Sequence, residues 1–221
     1  VFKRSAKLFA AVAVLVASAA GVLIAQDKPV ELEIGKPAPA FSLPNTKGET
    51  ISLADFKGKT VVLEWLNHGC PFVKKHYETN NMQSYQDLFT QKGIVWLSLV
   101  SSAPGKQGHY ATAEEAEADR TAKGSKATHV LLDPVGTVGR AYGARTTPHM
   151  YIVGADGNLA YAGAIDDKPG TKNEDVVGAK NYVADALNEI LAGKPVTTAT
   201  TKAYGCSVKY ANAPAMGADK K

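Results

Sequence analysis

Two short runs constrain the fold of this chain more than any other feature: residues 60–66 (TVVLEWL) and residues 94–100 (IVWLSLV). Each is apolar at nearly every position rather than at every second one, so neither leaves a face for water. Both read as central strands of a sheet covered on its two sides. The residues around them alternate in type. Before the first run, residues 41–43 and 49–53 bracket a turn at 45–48 and read as a short hairpin, entered through the extended segment Gly35-Lys36-Pro37-Ala38-Pro39. After it, a helix in two pieces is expected from Cys70 to Gln91, weakened at Asn80-Asn81, with Tyr85, Leu88 and Phe89 facing inward and Gly93 ending it.

The second half continues the pattern. A loop over residues 101–108 leads to Thr112 and Glu115, a capping box for a helix through about Lys123. Its acidic cluster, Glu114, Glu115, Glu117 and Asp119, reads as a solvated helix face without a His or aromatic partner. Residues 129–132 form a third strand, 137–142 a short helix, and 149–153 with 159–164 an antiparallel hairpin turned by Asp156-Gly157-Asn158. Apolar residues at Val176, Ala179, Val183, Ala186, Leu187 and Ile190 mark one face of a last helix over 173–191, stopped by Gly193-Lys194-Pro195. The chain is therefore expected to be an α/β domain over residues 35–195, with a tail over 196–221 that is either docked or a flexible arm.

Residues 1–25 stand apart. Lys3, Arg4 and Lys7 precede an apolar stretch over 8–25, with small residues at Ala17-Ser18-Ala19 and Ala25, which is the pattern of an export signal or an uncleaved membrane anchor. Residues 26–34 read as a linker. The formal charge of +4 belongs mostly to that segment, since without its three cations about +1 remains. A nucleic-acid partner has no electrostatic support in such a balance. Membrane contact is expected only through residues 1–25, and an exported, periplasmic or secreted chain is one in which a disulfide can persist.

There are two cysteines. Cys70 follows the first apolar run and opens the helical segment CPFVKKHY, where unpaired main-chain N–H groups and the positive end of the helix dipole favour a thiolate. Pro71 suits the first helical turn because it lacks an N–H. Lys74, Lys75, His68 and His76 are further candidates for stabilising the anion. Cys206 lies in the tail. Two bland readings compete: an inert buried thiol at position 70, or a permanent structural bridge between the two cysteines. A metal site built from Cys70 with His68, His76 and His149 lacks a recognised ligand spacing. The FKGKT segment, residues 56–60, is read as a turn, because Leu53 stands where a phosphate loop needs glycine.

The segments VVLEWLNHGCPFVKKHY (61–77), GIVWLSLVSS (93–102), YGARTTPHMYIVGADGNLAYAG (142–163) and YGCSVKY (204–210) resemble the thioredoxin fold, and within it the AhpC/TSA redoxins of the peroxiredoxin-like branch. The resemblance implies a thioredoxin-like central mixed sheet flanked by helices, and a thiol-dependent oxidoreductase or peroxidase with Cys70 as its single active-site cysteine and nucleophile. It also implies a cis bond before Pro148, with Thr147 offering main-chain hydrogen bonds to a bound peptide or mixed disulfide. Asn67, His68, Pro71, Arg145, Thr147, Pro148 and His149 become the supporting residues, His149 as a hydrogen bonder or partner contact. Val73 stands where thioredoxins carry a second cysteine, so only Cys206 can resolve an intermediate within the chain. Leu63 and Asn67 occupy the Pro and Thr positions of the peroxiredoxin pattern, and Pro148 falls near that family's Arg, with Arg145 three residues away. The expected substrate is a protein disulfide, a small thiol or a peroxide, with an external thiol reductant and no cofactor. The alternatives are a thiol peroxidase reducing hydroperoxides and a non-catalytic binding protein with a structural disulfide.

Overall fold

The computed structural model describes residues 32–211. The basic and apolar N-terminal segment and most of its linker, like residues 212–221, lie outside the described residues.

The two apolar runs do form the sheet centre. A hairpin of β1 (Ser42–Pro44) and β2 (Thr50–Ser52) leads to β3 (Val61–Trp65), whose five residues are all buried. Helices α1 (Pro71–Glu78) and α2 (Asn81–Thr90) cross to β4 (Val95–Val100), parallel to β3 and equally buried. Then come α3 (Ala113–Ala122), β5 (His129–Leu132), α4 (Thr137–Ala141), β6 (Thr146–Thr147), β7 (His149–Val153), β8 (Leu159–Gly163), α5 (Tyr182–Leu191) and β9 (Cys206–Ser207). The main sheet has the order β5-β4-β3-β7-β8, parallel from β5 to β3 and antiparallel from β3 to β8.

Side chains of β3 alternate between two cores, as a pleated strand requires. Val61, Leu63 and Trp65 pack with Leu97, Leu99, Tyr151 and the α4 side of the sheet. Val62 and Leu66 face α1, α2 and α5 through Val73, Met82, Phe89, Val183 and Leu187. Glu64 shares this second face and is fully buried. Its Oε2 accepts from Trp96 Nε1 (2.8 Å), Ser98 Oγ (3.0 Å) and Gln86 Nε2 (3.1 Å), and its Oε1 accepts from Tyr77 Oη (3.0 Å). The one polar interruption of the run is thus a hub that ties β4, α1 and α2 to the central strand.

Three expectations need correction. Leu88 does not face inward but is 44% exposed, because the buried stripe of α2 runs through Met82, Gln83, Gln86 and Phe89. The expected helix over 173–191 is two elements: a 3-10 turn at Asn173–Val176, then α5 with Asn181 as its N-cap, the side chain accepting from Ala184 N at 2.8 Å. Gly178, at φ +67°, breaks the helical path between them, and Val177 is 79% exposed. The acidic face of α3 is also not uniformly solvated. Asp119 lies three residues beyond the buried Ala116, on the inward face, and pairs with His68. Among the described residues no helix is long and apolar enough to cross a membrane.

The Glu64 hub yields a direct expectation. Glu64→Ala takes the acceptor from Trp96, Ser98 and Tyr77 and one of two acceptors from Gln86, and should cost about 3 kcal/mol or more in urea unfolding. A loss below about 1 kcal/mol would show that these hydrogen bonds do not hold the helices to the sheet.

Candidate active site

The site begins where β3 runs out. Asn67 turns the chain: its side-chain Oδ1 accepts from Gly69 N (2.9 Å), its main-chain O accepts from Cys70 N (2.9 Å), and its Nδ2 donates to Gln107 O (3.2 Å). Cys70 is then the N-cap of α1, extended at φ −80° and ψ 126°, and Pro71 takes the first helical position as expected. The sulfur differs from expectation in its contacts. It makes no cap hydrogen bond to the helix amides, and its thiol instead donates to Thr147 O at 3.1 Å. Cys70 is 0% exposed. None of the candidate cations is its hydrogen-bond partner: Lys75 Nζ turns to Lys168 O (2.5 Å), His76 to Asn81 (2.8 Å) and His68 to Asp119 (2.5 Å).

Thr147 and Pro148 close over the sulfur, and their peptide bond is cis. What covers them in turn is the tail, which is docked through Ala211. Its strand β9 pairs antiparallel with β6, Cys206 opposite Thr147 and Ser207 opposite Thr146. Earlier in the tail, Ala162 N donates to Ala199 O (3.0 Å) and Thr201 N to Ala162 O (3.2 Å). Later, Val208 N donates to Arg145 O (3.0 Å) and Tyr210 Oη to Ala144 O (2.8 Å). Gly205 is indispensable to this path. At φ +138° it lies so close to the Thr147 carbonyl that an added Cβ would sit 2.1 Å from that oxygen. The ladder therefore delivers Cys206 to the main chain that Cys70 already touches. Both cysteines are free thiols here, and Cys206 is half-buried. Burial, and next the adjacent Cys70 sulfur, push the Cys206 thiol up to about 12.

The other candidates divide. Asn67, Pro71, Thr147 and Pro148 surround Cys70. His68 sits two residues away but is directed elsewhere, edge-on to the Tyr77 ring at 4.5 Å and bonded to Asp119, which also accepts from Tyr110 Oη. That carboxylate is held below its ordinary value, first by the His68 hydrogen bond. The pair staples α3 to the cysteine loop. His149 packs on Tyr151 (4.5 Å), and its Nδ1 accepts from Arg145 N (3.3 Å) and lies 3.1 Å from Tyr151 Oη, which itself donates to Tyr142 O (2.8 Å). Arg145 itself is exposed, with no side-chain hydrogen bond among the described residues. The histidines and Cys70 do not converge, and among the described residues no group of three or more His, Cys, Asp or Glu could hold a metal ion.

Sequence reasoning missed Gln107, Asp119 and Tyr110 as partners of the cysteine loop, and Asp166 as a partner of the tail. For Asp119 a signal existed, its helical spacing from Ala116. Gln107 and Asp166 lie in irregular chain whose course no local pattern dictates.

A mixed five-stranded sheet, a cysteine at the start of the helix after its central strand, and a cis proline facing that sulfur together define a thioredoxin-fold thiol protein. The AhpC/TSA family model matches residues 34–162, and the chain belongs to that family. It is similar to the thiol-disulfide oxidoreductase ResA of Bacillus cereus, at 27% identity over 166 residues, covering 71% of this chain and 87% of that one. A Mycobacterium tuberculosis protein named "Putative peroxiredoxin MT2597" is 26% identical over 140 residues, covering 63% of this chain and 82% of its own. Among solved structures, an uncharacterized conserved protein from Geobacillus kaustophilus superposes with a TM-score of 0.71 at 26% identity, covering 83% of this chain and 95% of that one. The chain is accordingly a thiol-dependent oxidoreductase.

A buried histidine, His76, and a half-buried one, His149, flank this site, and an acid sensitivity is expected from them. Burial, and next the Lys75 charge, lower His76 to about 3; burial, and next Arg145, lower His149 to about 4. The fold thus favours the neutral rings. Their contribution is complete above the unfolded value of about 6.5 and is lost as pH falls from there towards the folded values. Unfolding free energy should therefore decline between about pH 6.5 and 4, and His149→Gln, which keeps an acceptor, should flatten the decline. A variant with the wild-type pH profile would exclude His149 as a source.

Proposed function

We propose that Cys70 and Cys206 are the working redox pair of this oxidoreductase and that its reaction is thiol-disulfide exchange. The observation that carries this reading is the β6-β9 ladder, which sets Cys206 opposite the residue whose carbonyl accepts the Cys70 thiol. A structural bridge would serve equally well on geometry alone. The place of Cys70 at a helix start and the similarity to a thiol-disulfide oxidoreductase favour a pair that opens and closes.

In the forward direction the Cys70 thiol, once deprotonated, attacks one sulfur of a substrate disulfide. That S–S bond breaks, one substrate sulfur leaves as thiolate, and the other stays on Cys70 as a mixed disulfide. Cys206 then gives up its proton and attacks the Cys70 sulfur, which releases the second substrate thiol and leaves a Cys70–Cys206 bond. The substrate has gained two electrons and two protons. An external thiol reductant returns the same two electrons to the pair. Consumption of Cys70 in the mixed disulfide removes one of the influences that hold the Cys206 proton, and so favours the second attack.

Peroxide chemistry is less well served. Leu63 is a buried core residue, Asn67 is engaged in turning the cysteine loop, and Arg145 faces solvent, so no side chain of the expected peroxide-polarising set points at the sulfur. Export is part of the proposal too, resting on the basic and apolar pattern of residues 1–25.

Cys70→Ser should abolish turnover of a disulfide substrate, and Cys206→Ser should accumulate substrate as a mixed disulfide on Cys70, read as a mass increase. Wild-type turnover by Cys70→Ser rejects the proposal. Faster consumption of hydrogen peroxide than of any disulfide would assign the pair to peroxidase chemistry instead.

A further inference from the structure

The fully buried Cys70 cannot meet an external substrate while the tail lies over it, and the tail is fastened two residues before Cys206 by a cluster of ionisable groups. Tyr204 Oη donates to Asp166 Oδ1 at 2.5 Å and lies 3.5 Å from His76 Nε2. Asp166, 2% exposed, also accepts from Lys168 N (2.9 Å) and stands 3.8 Å from His76 Nε2. The fully buried Lys75 places its ammonium 5.1 Å from the centre of the Tyr204 ring, and Phe72 packs on the same ring at 5.9 Å. Phe72, Lys75 and His76 all belong to α1, the helix that Cys70 caps.

This cluster is costly to build unless it holds something. A carboxylate, an ammonium and an imidazole are withdrawn from water around one phenol, which belongs to the tail rather than to the sheet. Elsewhere the tail is held by main-chain ladder bonds, by Thr201 Oγ1 against Ala164 N and Tyr161 Oη, by Thr197 on the Glu189 carboxylate, by the buried Val208 and by the Tyr210 and Ala211 contacts. Tyr204 is the anchor that joins the stretch next to Cys206 to the helix carrying Cys70.

We infer that Tyr204 and Asp166 are positioning residues that latch the tail over Cys70, so that release of this latch sets how often Cys70 becomes reachable by an external reactant. The inference rests on Cys70 as the reacting thiol of the proposed function. It extends that reading by making uncovering of the sulfur a separate step before exchange, and by confining Cys206 to its place opposite Thr147 between turnovers. Gly205 contributes by allowing the chain to pass the Thr147 carbonyl, whereas Tyr204 supplies the hold.

The test needs no turnover, which separates its failure from failure of the redox reading. In Cys206→Ser the only thiol is Cys70, and its alkylation by iodoacetamide in native buffer reports tail opening. Adding Tyr204→Phe removes one hydroxyl and keeps the ring; alkylation should accelerate about tenfold or more, the usual yield of a hydrogen bond to a charged group. Asp166→Leu should do the same, and Asp166→Asn, which retains an acceptor oxygen, should restore most of the protection. These gains should be nearly independent of low urea, because opening the tail exposes little surface. An unchanged alkylation rate in Tyr204→Phe overturns the inference. So does acceleration that follows urea with the slope of global unfolding, since that would make Tyr204 a general stability residue.

Discussion

The two-residue ladder between β6 and β9 is the constraint on which the rest depends. Without it Cys70 would be a buried thiol and Cys206 a residue in an appendage. With it, the tail becomes a component of the site, and the chain carries its own second thiol against the first. The ladder is short, so its neighbours must hold it. Gly205 lets the main chain approach the Thr147 carbonyl, Tyr204 bonds to Asp166 and packs its ring on Phe72 and Lys75 of α1, and Val208 and Tyr210 seal the far side against the α4 face of the sheet.

The other half of the site is set by the sheet. Burial of β3 on both faces fixes where its last residue emerges, and Asn67 folds the next three residues into a turn that ends on Cys70. The antiparallel β7 lies beside β3, with His149 opposite Trp65, so the residues just before β7 arrive next to the cysteine loop. Strand pairing thus converts a long separation in sequence into the 3.1 Å contact of Cys70 with Thr147. Glu64 fastens α1 and α2 to the same strand, so the helix that starts at Cys70 is held by the strand that precedes it.

Where patterns were local, the sequence was readable. Apolar runs with few polar interruptions marked the two central strands, Asp156-Gly157-Asn158 marked the hairpin and Thr112 marked a helix start, whereas the place of Thr147-Pro148 beside the sulfur was expected only from the family resemblance. Failures arose where tertiary contacts override a local signal. The apolar spacing from Val176 to Ile190 suggested one helix, yet Gly178 departs from the helical path. Asp119 looked like one of several solvated acids until α3 packed it against His68. The contact of the sulfur with a carbonyl rather than with helix amides depends on where β6 lies, which no pattern around Cys70 encodes. The tail was legible only as a cysteine with flanking tyrosines; its docking partners are scattered from α1 to α5.

The most direct test of the account is to oxidise the purified chain at low concentration and map its disulfides by mass spectrometry after proteolysis without reduction. The account predicts a monomer in which the peptide of Cys70 is joined to the peptide of Cys206, and which two equivalents of a small thiol return to the free form. A disulfide-linked dimer, or an oxidised product carrying Cys70 and Cys206 on separate unlinked peptides, would contradict it.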